Sequence, residues 1–182
     1  MTKQKSIKVF IVHQFVMSDL QDSIIKQLQS FPFCTFVDMS CPKQKPISED
    51  KLEFIQEIAC GKMMDSDIII VLPDTPQGYE IDGKDNDYIS DFSDTFRSSR
   101  GLHQNSIYTV EIRTLMFDSC DTKPVLVLGW TKDSAEYLAD KLRSPKHIGG
   151  RAYNQERFYT LGLNEVTNMH DIAKKIIAIL DY

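Results

Sequence analysis

No stretch of the 182 residues holds the roughly 18 uninterrupted apolar positions that a membrane-spanning helix needs, so no membrane span is expected. Clustered lysine and arginine are missing too. With a net charge of −5, the chain lacks the basic surface that neutralises nucleic-acid phosphates, and no nucleic-acid partner is expected. Cysteines are few: Cys34, Cys41, Cys60 and Cys120 show no metal-ligand spacing and are too sparse for a disulfide scaffold, which leaves reduced thiols in a cytoplasmic protein as the plain reading. The sequence has no HExxH, CxxC or GxGxxG motif and no serine nucleophile elbow, and its one GxxxxGK string, GYEIDGK at residues 78–84, is followed by Asp85 in place of the Ser or Thr of a P-loop. Zinc hydrolysis, dithiol redox chemistry, P-loop nucleotide hydrolysis and a standard dinucleotide fold each lose their usual support. The acidic run DGKDND, Asp82 to Asp87, looks like the front half of a calcium loop, but its glycine is misplaced and position 12 counted from Asp82 is Ser93 rather than a glutamate. No metal and no resident cofactor are expected.

What remains is globular composition, 42% hydrophobic and 26% charged, over a length that suits one domain spanning residues 1–182. The N-terminus, MTKQKSIKVFIVHQF, is basic and then apolar, but the apolar run is short, alternates like a strand and lacks a small-residue cleavage site, so it reads as a first strand. That strand, Ile7 to His13, is continuous enough to be covered on both faces. Ser18 and Gln21 have capping-box spacing and open a helix striped by Leu20, Ile24, Ile25 and Leu28, which Phe31 and Pro32 end. Cys34 to Met39 is a second strand, left through the proline-bearing loop Ser40 to Pro46. Ser48 caps a helix with Leu52, Ile55, Ile58 and Ala59 on one face, weakened in its last turns by Gly61. DIIIVLP, Asp67 to Pro73, is the clearest buried strand.

A helix at Asn105 to Phe117, a strand at Pro124 to Leu128 and a helix at Asp133 to Leu142 continue the alternation, which is that of a parallel sheet with helices on both faces. A short edge strand at Arg157 to Leu161 and a final helix capped by Asn168, carrying Ile172, Ile176, Ile177 and Leu180, complete it. One connection breaks the pattern. Residues 74–104 are long and acidic: from Asp74 to Asp94 they hold seven carboxylates against Lys84 alone, and they read as a lid, a partner-binding flap or a tolerated surface insertion.

In a parallel sheet all strand ends point one way, so polar residues scattered in the sequence share a rim. His13, Gln14 and Phe15 leave the first strand, Asp38 and Ser40 the second, and Asp74 and Thr75 the third. Glu111 lies on the helix reached through the long connection, and at helical spacing it stacks with Tyr108 and Leu115 on one face. Taken singly, each has a bland alternative: a strand-end histidine, turn-forming Asp and Ser, a solvated glutamate. Phe15 and Tyr108 are equally suited to the core or to stacking on a substrate ring.

The strand KVFIVHQF, the run VDMSCPKQKPI, the segment DSDIIIVLP, and SIYTVEIRTLM followed by KPVLVLGW, in this order, resemble the TIR-like domains of bacterial proteins, in the branch that includes the Thoeris antiphage TIR proteins. The resemblance spans about residues 7 to 130. It implies a flavodoxin-like open parallel sheet and, in enzymatic members, cleavage of the nicotinamide–ribose bond of NAD, giving nicotinamide and an ADP-ribose species, often cyclic, that signals to an effector in antiphage defence. By the same resemblance Glu111 is the catalytic glutamate, and His13, Gln14 and Phe15 belong to the loop lining the nucleotide cleft. Asp38, Ser40 and Tyr108 are further candidates for substrate binding. The loop 40–46 corresponds to one that contacts a neighbouring subunit or gates the site, so self-association is expected. Two departures stand out: Ile107 and Tyr108 replace a tryptophan often found shortly before the glutamate, and the insertion 74–104 is longer than usual.

The chemistry asks for one carboxylate. Nicotinamide leaves as a neutral base from a cationic pyridinium, so no acid is needed to protonate it, in contrast to the paired carboxylates of sugar hydrolases. A glutamate hydrogen-bonded to the ribose hydroxyls stabilises the oxocarbenium ion that develops as the bond breaks, more strongly where water is excluded. Two alternatives stay open: a non-catalytic TIR-like module that self-assembles or recruits a partner, and a nucleoside deoxyribosyltransferase-like enzyme, which uses a glutamate on a similar scaffold as a covalent nucleophile.

Overall fold

The computed structural model describes residues 6–13, 17–40, 52–73, 77, 115, 122–143 and 155–181. Five strands form one sheet: β1 (Ser6–Val12), β2 (Thr35–Asp38), β3 (Ile68–Val71), β4 (Val125–Gly129) and β5 (Phe158–Gly162). Every pairing is parallel and the spatial order is β2-β1-β3-β4-β5. This is an α/β, flavodoxin-like open sheet with helices on both faces, as the alternation of apolar strands and amphipathic helices implies.

Alternation within each strand sorts the core into two layers. Phe10, Val12, Ile69, Val71, Val125 and Val127 face one side, where α2 (Leu52–Asp65) contributes Ala59 and Met63, and α3 (Lys132–Arg143) contributes Leu138, Ala139 and Leu142. Ile7, Val9, Ile11, Ile68, Ile70, Leu126 and Leu128 face the other, under α1 (Ser18–Gln29) with Ile24 and Leu28 and α4 (Asp171–Ile179) with Ile172, Ala173 and Ile176. Each fully buried branched aliphatic contributes roughly 1.5–3 kcal/mol relative to exposure, so β1, β3 and β4, buried along both faces, are the main source of stability.

Several sequence expectations need correction. Ser18 is the first residue of α1 rather than its cap: Met17 holds the N-cap position, no side chain caps that end, and Gln21 is buried instead of reaching back to the backbone. In α2, Ile58 is outward and exposed while Ala59 and Met63, four apart, face the sheet. The helix has apolar residues on both sides, so apolar spacing alone does not identify the inner one. Gly61 lies within the helix, which runs on to Asp65. A Cβ added at Gly61 meets nothing within 4 Å. Gly61→Ala is therefore expected to stabilise the chain by about 0.5–1 kcal/mol, through helix propensity and a less flexible unfolded state, as read from the midpoint of urea unfolding.

The last helix begins later than the expected Asn168 cap implies: His170 holds the N-cap position and no side chain caps it, while Asn168 lies in the turn before it. Asn168 Oδ1 accepts from the His170 N–H at 2.9 Å, and the Asp171 carboxylate returns to the Asn168 N–H at 2.8 Å and the Thr167 N–H at 3.0 Å. The bond from Asn168, followed by those from Thr167, holds the Asp171 carboxyl below its ordinary range. α3 begins one residue before the expected Asp133 and is set by a reciprocal cap: the Ser134 N–H donates to Thr131 Oγ1 at 3.1 Å and the Thr131 N–H to Ser134 Oγ at 3.0 Å. Cys34 and Cys60 are not in disulfides, and burial raises the pKa of the Cys34 thiol; Cys41 and Cys120 lie outside the described residues. No described helix is long and apolar enough to cross a membrane.

Candidate functional site

The carboxyl edge of the sheet is where the candidate residues meet. His13 follows β1 directly and is buried, with Nδ1 in a long 3.5 Å contact to the Ile11 carbonyl. Beside it, β2 ends in a tight arrangement of side chain on backbone. Asp38 pairs with Val9 in the ladder and the Met39 N–H still donates to the Val9 carbonyl at 2.8 Å. The next rung is made differently: the Ile11 N–H donates to Ser40 Oγ at 2.9 Å, while Asp38 Oδ1 accepts from the Ser40 N–H at 2.9 Å. A short polar side chain two residues back is what lets a strand turn out of its ladder without orphaning a donor.

Asp38 and Ser40 thus stand at the rim beside β1 as the strand-end argument requires, and both also do the structural work of closing β2. Ser40→Ala leaves the Ile11 N–H without an acceptor inside the sheet. The expected loss is about 1–3 kcal/mol, seen as a lower urea midpoint with unchanged m-value.

Lys62 is a member of this corner that sequence reasoning did not find. Its ammonium donates to the Ser40 carbonyl at 3.0 Å, tying the last turn of α2 to the exit of β2. Nothing in the sequence pairs these two positions except that both lie where chain segments end. Of the remaining candidates, Gln14, Phe15, Asp74, Thr75, Tyr108 and Glu111 lie outside the described residues, as do the loop 41–46 and, apart from Gln77, the connection 74–104. The expected helix 105–117 is described at Leu115, which is helical and fully buried in the layer shared by α2 and α3.

Leu115 is also held by a charge. Arg157, buried just before β5, donates from Nη2 to the Leu115 carbonyl at 2.9 Å and from Nη1 to the Lys123 carbonyl at 3.3 Å, and its guanidinium lies 4.9 Å from the centre of the Phe158 ring. Arg157 therefore couples the start of β5 to the segment that carries Glu111 in the sequence.

A cavity of ≈ 10 Å³ under α1, lined by Val9, Ile11, Leu28 and Phe36 among others, has room for one water and is far too small for a nucleotide. Among the described residues no group of three or more His, Cys, Asp or Glu side chains is arranged to hold a metal ion.

No family model, curated protein or solved structure matches the chain.

Proposed function

We propose that this chain is a TIR-like enzyme that cleaves the nicotinamide–ribose bond of NAD, with Glu111 as the catalytic carboxylate, producing an ADP-ribose-derived signal in antiphage defence. The observation that carries the reading is the strand order. In β2-β1-β3-β4-β5 the direction of winding reverses between β1 and β3, and ligands of open parallel sheets bind in the crevice outside the carboxyl ends at such a point. His13, Asp38 and Ser40 stand on that edge.

Leu115, four positions after Glu111 and so one helical turn away in spacing, is helical and buried. A carboxylate next to that position on the same face would be drawn out of bulk water, where it acts on a ribosyl cation with less dielectric screening. In this reading NAD is the substrate, the protein needs no resident cofactor, and the partners are a second copy, met through the loop 40–46, and an effector that senses the product.

The test in cells is mass spectrometry of small molecules from bacteria expressing wild type or Glu111→Gln under phage challenge. The proposal expects NAD to fall and a new ADP-ribose species to rise with wild type alone. Equal metabolite profiles in both strains, with protection from phage retained by the variant, would leave the non-catalytic recruiting module as the reading to keep.

A further inference from the structure

α2 carries a glycine that its own fold does not use. Ala59 and Met63 face the sheet, so Gly61, two positions from each, faces away from it. A Cβ there would meet nothing within 4 Å, and the backbone is not in the left-handed region that would call for a glycine. Inside a helix a glycine costs stability relative to alanine, and one reason to keep it is close approach by another group. Helical spacing puts Glu57 and Ile58 on one side of Gly61 along the axis and Met64 and Asp65 on the other. All four are exposed, Ile58 by 37% and Met64 by 46%. Among the described residues no cation pairs with either carboxylate. The result is an open notch with two apolar and two acidic walls, which suits an apolar knob that brings a cation with it.

The same chain displays such a knob. Phe33, in the turn before β2, is 80% exposed, more than any other large apolar side chain among the described residues. Its ring stands edge-on to Phe31, with centroids 5.4 Å apart, and Phe31 is buried and edge-on in turn to Phe36 and His170. A ring propped on a packed aromatic base loses little freedom when it docks. Lys26, exposed in the last turn of α1, supplies a cation on the stretch that leads into Phe33. Phe31 belongs to the layer under α1 and α4, whereas α2 covers the opposite face of the sheet. Knob and notch therefore cannot meet within one chain, but two copies set head to tail bring them together.

We infer that a second copy of this chain docks here: Phe33 of one copy enters the Gly61 notch of the next, with its Lys26 against Glu57 and Asp65. This deepens the self-association in the reading above, since Lys62, next to Gly61, ties α2 to Ser40 at the head of the loop 40–46. It does not depend on NAD cleavage. The two surfaces differ, so the contact is heterologous, and each added copy presents a fresh knob or notch to another.

The test is sedimentation velocity of the full chain over a range of concentrations, for wild type, Phe33→Ser and Gly61→Leu. Both positions face solvent, so both variants are expected to fold, which far-UV circular dichroism checks. Phe33→Gln and the pair Glu57→Lys with Asp65→Lys are the second knob and notch variants should either unfold. Wild type is expected to form species larger than a dimer as it is concentrated. Each variant alone is expected to associate about tenfold or more weakly. An equimolar mixture of Phe33→Ser and Gly61→Leu is expected to recover one contact and stop at a dimer, because one member keeps the notch and the other the knob. Wild type that stays monomeric at every soluble concentration would overturn the inference. So would wild-type association in either variant alone, or a mixture no more associated than its components. Monomeric wild type that still releases nicotinamide would remove this contact and leave NAD cleavage standing.

Discussion

Glu111→Gln is expected to lower NAD turnover by about 10²–10³-fold or more while leaving the far-UV circular dichroism and the urea midpoint close to wild type. The amide keeps the volume and part of the hydrogen bonding of the carboxylate but loses the negative charge. That charge opposes the positive charge that moves from the pyridinium onto the ribose in the transition state, so the loss is in kcat more than in KM. Turnover unchanged in the variant would remove Glu111 from the mechanism. Activity lost with NAD but retained as base exchange on deoxynucleosides, with a trappable glycosyl adduct in wild type, would move the protein to the deoxyribosyltransferase reading, where the same glutamate is a nucleophile.

The largest expected effect on stability lies elsewhere, at Gly129→Ala. Gly129 closes β4, and a Cβ added there would sit 2.7 Å from Ala135 Cα and closer still to the Ala135 backbone nitrogen and Ser134 Oγ. The obstructing atoms belong to the first turn of α3, which the Thr131–Ser134 cap fixes, so no flexible side chain can yield. The expected cost is about 3 kcal/mol or more, a fall of roughly 6–12 °C in Tm for a chain of this size. Gly162, at the end of β5, is under the same turn, with Thr131 C 2.8 Å from its would-be Cβ. The opposite sign expected at Gly61, where the space is open, makes the pair a controlled comparison of two glycines in one protein. A Gly129→Ala protein as stable as wild type would mean that α3 is free to lift from the sheet.

How much of this was legible in the sequence depends on the range of the interaction. DIIIVLP announced a central strand because Ile68 to Val71 are buried on both faces, and the element order fixed a parallel sheet. Arg157 to Leu161 was placed one residue early as an edge strand, with β5 spanning Phe158–Gly162. The inner face of α2 is not legible in the sequence, because Ile58 and Met63 are both apolar and only the sheet decides which is inside. The spacing of Ser18 and Gln21 looked like a capping box, yet the helix begins at Ser18 and buries Gln21.

The rim residues Asp38 and Ser40 were legible because strands end in short polar side chains. Lys62 and Arg157 were not, since their partners are backbone carbonyls 22 and 42 residues away that carry no side-chain signature. The same reasoning explains why Glu111 could be singled out by its neighbours Tyr108 and Leu115 but could not be assigned a role from pattern alone.

The measurement that bears most directly on the NAD account is nicotinamide release by the purified wild-type chain at high NAD concentration, followed over a range of protein concentrations so that activation by self-association is captured. The account predicts nicotinamide appearing in step with the loss of NAD, with a specific rate that rises as the protein is concentrated. NAD left intact at every protein concentration, under conditions where the chain is folded and assembled, would contradict it.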